Sequence, residues 1–183
     1  MSRKSWQIIF SGVGGQGLLL CGSTLGSAAA IYEGKNACMT ADYGSEARGA
    51  FTKADCIVST EAIAYPEVLK PDIIVALAQT AYDRYAGDAG ENTVLLYNSD
   101  QVKESFSRAR QIGLPMDGIA AVDNKRGPIN MVSLGILVAA TGIVEAGSVE
   151  KAIAERFRGK DKIIASNLTA FRKGVDAAKE ITI

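Results

Sequence analysis

The chain has 183 residues, with 20 Lys and Arg against 20 Asp and Glu and no histidine. That length suits one domain with a real core, and the cancelled charge excludes a global field for nucleic acid or anionic lipid, so any anion site must be local. Without histidine there are no serine–histidine or cysteine–histidine nucleophiles, none of the usual zinc ligands, and no ready proton carrier near neutral pH.

Residues 6–10 are apolar and closed by a glycine, as in a buried strand. Over residues 16–33 the positions Leu18, Gly22, Leu25, Ala29 and Tyr32 recur at helical spacing, and Gly34 supplies a C-terminal cap. The uncharged run 5–32 imitates a signal peptide or membrane span, but Gly12 to Gly17 interrupt it and six polar residues leave no unbroken apolar core of about 20 residues. A cytoplasmic protein with no membrane segment is expected.

Residues 36–40 resemble a second strand, 41–50 a loop carrying Asp42, Glu46 and Arg48, and 51–60 a third strand. Pro66 and Pro71 punctuate a short helix at 65–70. "DIIVALA" at 72–78 is the clearest buried strand, 80–86 a brief helix closed by the turn "GDAGEN", and 93–97 another strand. Val102, Phe106 and Ala109 share one face of a short helix ending before Gly113, and 118–122 is a last weak strand. Beyond Pro128 the spacing is helical: 130–146 apolar on most sides, 149–157 amphipathic, then a stripe of Ile164, Leu168, Phe171, Val175 and Ala178. Strands alternating with helices, followed by helices alone, predict a single α/β domain over residues 1–183. It is a Rossmann-like three-layer sandwich with a mostly parallel sheet and a helical C-terminal third.

Cys21, Cys38 and Cys56 stand singly, giving neither a disulfide framework nor the paired thiolates of a zinc or iron–sulfur site. They read as small buried hydrophobes in a reducing compartment.

Gly12, Gly14 and Gly17 satisfy G-x-G-x-x-G between a strand and a helix, where bare backbone N–H groups and the positive helix end attract phosphate. Leu18 and Leu19 occupy the lysine and serine or threonine places of a nucleotide-hydrolysing P-loop, so that reading fails. A free-standing NAD- or FAD-dependent oxidoreductase needs an acid about 20 residues onward; Asp42 is the one plausible candidate, and it lies late. Alternatively, the glycines only let the first helix pack tightly on the sheet. Asp42, Glu46 and Arg48 would project from the same carboxyl edge, where Arg48 clamps an anion bidentately or pairs with Glu46 or another chain. "GDAGEN" superficially suggests a thiamine-diphosphate metal motif, but it lacks the rest and reads as a turn. Lys125 and Arg126 read as a solvated basic cluster, and Asn130 first as an N-cap and second as a ligand contact.

Taken together, "GVGGQG" from Gly12 to Gly17, "YGSEARG" from Tyr43 to Gly49 and "NMVSLG" from Asn130 to Gly135 resemble the gamma subunit of 2-oxoacid:ferredoxin oxidoreductases, nearest to the 2-oxoglutarate (KorC-like) type. The resemblance covers roughly residues 6–180. It implies a multisubunit enzyme that decarboxylates a 2-oxoacid oxidatively, captures the acyl group on coenzyme A and passes electrons to ferredoxin. Gamma chains of pyruvate, branched-chain oxoacid and indolepyruvate enzymes are similar, so these substrates stay open. Thiamine diphosphate, magnesium and iron–sulfur clusters are implied for the partners, which are alpha and beta thiamine-binding subunits and a ferredoxin-like delta subunit. The resemblance assigns no catalytic residue and no metal here. It assigns Gly12, Gly14, Gly15, Gln16 and Gly17 to a coenzyme A phosphate cradle, with Glu46, Arg48, Gly49 and Asn130 as further contacts. Ala50 departs from the second glycine that often follows "RG" in such chains, which weakens the case for a close backbone approach there.

Overall fold

The computed structural model describes residues 3–43, 50–123, 125–181 and 183. Six strands are described: β1 Ser5–Val13, β2 Asn36–Tyr43, β3 Phe51–Ser59, β4 Ile73–Ala76, β5 Val94–Asn98 and β6 Arg110–Leu114. They form one sheet in the order β2-β3-β1-β4-β5-β6. β3 pairs antiparallel with both β1 and β2, whereas β1–β4, β4–β5 and β5–β6 are parallel, so a single strand opposes the other five. The mostly parallel sheet holds. The reversal arises because β2 and β3 form a hairpin, and β3 then lies between β2 and β1.

The helices are α1 Leu18–Ser27, extended by a π-helical turn at Ala28–Tyr32, then α2 Gln79–Ala86, α3 Met116–Ala120, α4 Ile129–Thr141, α5 Ala146–Arg156 and α6 Asp161–Ala177. Alternation along the strands separates two cores. Ile8, Phe10, Ala54, Cys56, Ile73 and Val75 pack under α1 and the C-terminal helices. Ile9, Ile74, Leu95 and Tyr97 pack on the opposite face under α2 and the segment 99–109. The sandwich therefore has one thick and one thin outer layer. α4 packs against α1, α3 and α6 with ten of its 13 residues buried, which is why its sequence lacks a polar face. No described helix is long and apolar enough to cross a membrane.

Several local expectations fail for a common reason: side chains, not helix carbonyls, take the backbone groups. Residues 65–70 form no helix; the amides of Leu69 and Lys70 donate to Gln7 Oε1 at 2.9 and 3.2 Å. Residues 102–109 form no helix either: Val102 and Ala109 are buried while Phe106 is 85% exposed, so the three share no face. β6 follows where no strand was expected, its half-exposed edge position leaving no apolar run to recognise. Residues 118–122 are not a strand, because α3 occupies most of them. Asn98 Oδ1 and Asp100 Oδ2 accept the Met116 and Gly118 amides at 3.0 and 2.9 Å and start that helix. Burial pushes the Cys21 and Cys56 thiols up to about 12, which makes them inert packing groups; Cys38 is half-buried.

Candidate functional site

β1 runs through Gly12 to Val13, and residues 14–17 then turn into α1. The Gly14 amide donates to Ala50 O at 3.0 Å, tying the loop to the start of β3. Gly15 and Gly17 have φ of +94° and +76°, backbone that favours glycine. Gln16 is braced inside the loop. Its Oε1 accepts from the Val13 amide at 2.8 Å and its Nε2 donates to Leu77 O at 3.2 Å, joining the carboxyl ends of β1 and β4. Gly12 makes room for that amide, since a Cβ there would lie 2.1 Å from Gln16 Oε1.

Gln16→Ala leaves the Val13 N–H and the buried Leu77 carbonyl without their partner, at a cost of about 1–3 kcal/mol. A thermal melt should show the loss, and Gln16→Glu should not restore it, because a carboxylate cannot donate to Leu77 O. A native melting temperature for Gln16→Ala would contradict the bracing role.

Outside the loop opens a cavity of about 420 Å³, lined by Gly15, Gln16, Gly17, Gln101, Asp117, Arg126, Gly127, Pro128, Ile129 and Asn130. Two helices begin at its wall. Neither α1 nor α4 has a side-chain cap or an acidic residue in its first turn. In α4 the Met131 amide donates to Pro128 O at 3.0 Å; the amides ahead of it, like those that open α1, have no carbonyl a turn back within their own helix, and each helix end carries about half a positive charge. Asn130 stitches the two together: its Nδ2 donates to Gly17 O at 3.2 Å, and its own carbonyl accepts from Ser133 Oγ at 2.8 Å and Cys21 Sγ at 3.1 Å. It is not the N-cap, a place Pro128 holds. A Cβ on Gly17 would lie 2.4 Å from Asn130 Nδ2.

Arg126 adds a full positive charge to this wall, where the sequence suggested only a solvated cluster. The overlooked signal was a basic residue two positions before the proline that opens a buried helix. Opposite, Asp117 Oδ2 accepts from Asn98 Nδ2 and Gln101 Nε2 at 2.8 and 2.9 Å, which commits that carboxylate to the protein. Beyond the Arg126–Pro128 wall lies a second cavity of about 410 Å³, bounded by Val122, Lys125 and the small residues Ala165, Ser166 and Thr169 of α6.

The site sits at the carboxyl ends of β1 and β4, where the chain leaves β1 over the thick face and β4 over the thin one. Open α/β sheets place ligands at such a reversal. Glu46, Arg48 and Gly49 lie outside the described residues; their segment leaves β2 and rejoins at Ala50, beside Gly14. Gly12 and Gly14 do not line the cavity, and Asp42 is exposed near the end of β2. The ribose role weighed for Asp42 needs its strand beside β1, but β3 occupies that place and sets β2 about 10 Å away. "GDAGEN" forms the turn between α2 and β5, at the sheet edge away from the cavity. Among the described residues no group of three or more Cys, Asp or Glu is placed to hold a metal ion.

Residues 7–177 match the family described as pyruvate ferredoxin/flavodoxin oxidoreductase. The chain is 42% identical to 2-oxoglutarate synthase subunit KorC of Methanocaldococcus jannaschii, over 96% of its own length and 95% of that protein's. It resembles the crystal structure of a keto/oxoacid ferredoxin oxidoreductase gamma subunit from Geobacter sulfurreducens at TM-score 0.79 and 37% identity, covering 94% of this chain and 98% of that one. It shares its fold with 32% of a longer chain, the 2-oxoglutarate:ferredoxin oxidoreductase of Magnetococcus marinus, at TM-score 0.87 and 23% identity over 99% of its own length. With a family match over nearly the whole chain and a relative of 42% identity, the chain belongs to the pyruvate ferredoxin/flavodoxin oxidoreductase family.

Proposed function

We infer that the chain is the gamma subunit of a cytoplasmic 2-oxoglutarate:ferredoxin oxidoreductase, and that its own task is to seat the phosphates of coenzyme A beside the catalytic chains. The 42% identity to a 2-oxoglutarate synthase subunit favours that oxoacid over pyruvate and ketoisovalerate. The observation that carries the phosphate assignment is the meeting of two uncapped helix ends, α1 and α4, at one cavity with Arg126 on its wall. Backbone amides suit a diphosphate because they donate without charge of their own and are already fixed, so little ordering is lost on binding. The neighbouring cavity, walled by small residues and edged by Lys125, gives the remaining body of so large a ligand a place to lie.

In this assignment the chain supplies binding and orientation. Thiamine diphosphate, magnesium and iron–sulfur clusters, and with them decarboxylation and electron transfer, are assigned to the alpha, beta and delta subunits. Glu46, Arg48 and Gly49 are proposed to meet either the ligand or those subunits.

The test is to purify the chain with its companion subunits and follow acceptor reduction with 2-oxoglutarate, pyruvate, 2-oxoisovalerate and indolepyruvate, each with and without coenzyme A. The complex should prefer 2-oxoglutarate and need coenzyme A, and the chain alone should be inactive. Turnover by the isolated chain, or saturable binding of a reduced dinucleotide to it, would overturn the assignment.

A further inference from the structure

The two cavities share one wall, Arg126 to Pro128, so one ligand can lie across it with a part in each. No side chain stands at the middle of that divide: a Cβ on Gly127 would lie 2.0 Å from Ala120 O. The two sides of the divide differ in charge. The cavity beside the glycine loop carries Asp117, whose bonds from Asn98 and Gln101 both end on Oδ2, so that Oδ1 accepts nothing from the described residues. Asn98 is fully buried and is itself fixed by the Met116 and Asp100 amides, which donate to its Oδ1 at 3.0 and 3.2 Å. The carboxylate is therefore held in place with one oxygen to spare.

The second cavity carries Lys125 instead. Its backbone closes a tight turn with Val122, the Lys125 amide donating to Val122 O at 2.9 Å and the Val122 amide to Lys125 O at 3.1 Å. The Lys125 side chain is exposed and, like that of Arg126, makes no hydrogen bond or ion pair among the described residues; Asp123 lines the same cavity and pairs with neither. Ala120, Ala165 and Ala170 let a flat ring approach closely, and the hydroxyls of Ser166 and Thr169 bond no described residue. At about 410 Å³ the space falls in the range of roughly 300–1,000 Å³ usual for ligand pockets.

We propose that coenzyme A lies across the divide in one direction: its adenosine occupies the cavity beside α6, where Lys125 reads the 3′-phosphate, and its pantoyl arm leaves past Asp117. The proposal rests on the coenzyme A reading above and adds which end of the ligand goes where. The two ends that flank the diphosphate are unlike. The nucleoside end bears a phosphate monoester, with about 1.5 to 2 negative charges near neutral pH. The pantoyl arm is uncharged and offers a hydroxyl and amide N–H groups. A carboxylate repels the monoester and accepts from the hydroxyl or an N–H, whereas a lysine ammonium attracts the monoester. The reverse direction would set like charges together at Asp117 and leave Lys125 facing an uncharged arm.

The experiment compares coenzyme A with 3′-dephospho-coenzyme A as acyl acceptors for the assembled complex, native and with Lys125→Gln, Lys125→Arg, Arg126→Gln or Asp117→Asn. The reading is the ratio of the two KM values, which cancels any effect of a substitution on assembly or rate. The native ratio should favour coenzyme A about tenfold at low salt and shrink as salt is raised. Lys125→Gln should bring the ratio close to one by raising the KM for coenzyme A alone, and Lys125→Arg should keep most of it. Arg126→Gln, which acts on the diphosphate, should raise both KM values and leave their ratio. Asp117→Asn should also leave the ratio; a larger coenzyme A preference in that variant would place the monoester beside Asp117 and overturn the direction. A native complex that uses both acceptors equally, or a Lys125→Gln complex that keeps the native ratio, would overturn the proposal while the need for coenzyme A stands. If the complex needs no coenzyme A, the reading beneath the proposal fails and the proposal with it.

Discussion

Replacing Gly174 with alanine is expected to lower the melting temperature by about 4–8 °C, with Gly135→Ala close behind. The two glycines lie where α4 and α6 cross. A Cβ on Gly135 would sit 2.1 Å from Phe171 O, and one on Gly174 would sit 2.1 Å from Val132 O. Each obstacle is the backbone of the opposite helix, which cannot move aside as a long side chain can. The helices would have to separate, at a cost toward the upper end of the roughly 1–3 kcal/mol typical of overpacking. The better helix propensity of alanine returns about 1 kcal/mol at most. The two substitutions should not be additive, because once one has forced the helices apart the second meets less resistance. Chemical denaturation of both single variants and the double variant measures this. A Gly174→Ala protein as stable as the native one would mean that the helices do not touch where the structure places them. Gly135 also closes the "NMVSLG" motif, so its presence there follows from helix packing and not from ligand contact.

The second large effect concerns the cavity. Under the proposed assignment, Arg126→Gln in the intact complex should raise the KM for coenzyme A about tenfold while leaving kcat at saturating coenzyme A and the melting temperature unchanged. The figure follows from losing a charge-assisted hydrogen bond to phosphate, worth roughly 1.5–3 kcal/mol, taken at the low end because Arg126 is exposed to water. The KM should also depend less on salt, since one phosphate-directed charge is gone. Steady-state titration of coenzyme A at two ionic strengths supplies both readings. An unchanged KM would remove Arg126 from the site.

Much of the frame was legible from residue patterns because those patterns report local physics. An apolar run ended by glycine marked β1, partial alternation marked β3, short apolar runs marked β4 and β5, and the 3.6-residue stripe marked α6. Glycine between a strand and a helix announced a ligand edge, since few side-chain-bearing residues adopt φ near +90° at such a turn. What failed was equally local in cause. The segments 65–70 and 102–109 carry enough apolar residues for a helix, but Gln7, Gln79 and Tyr82, remote in sequence, and Gln111 from β6 claim their backbone groups. β6 escaped notice because an edge strand half open to water carries no apolar signature.

The glycine loop shows the same division within a few residues. Its spacing predicted an anion seat, yet Gln16, the residue that distinguishes it, spends both polar atoms on Val13 and Leu77. Arg126 and the start of α4 lie more than 100 residues away along the chain, and only the folded sheet brings them to the same wall. Taken alone, the sequence determined the α/β class, the glycine turn between β1 and α1 and the lack of histidine chemistry, since each depends on residue type and near neighbours. Tertiary structure alone decided that a second helix end and an arginine meet that turn, that β3 separates Asp42 from β1, and that Phe106 faces outward. Those outcomes depend on strand order and on long-range hydrogen bonds, which no stretch of neighbouring residues encodes.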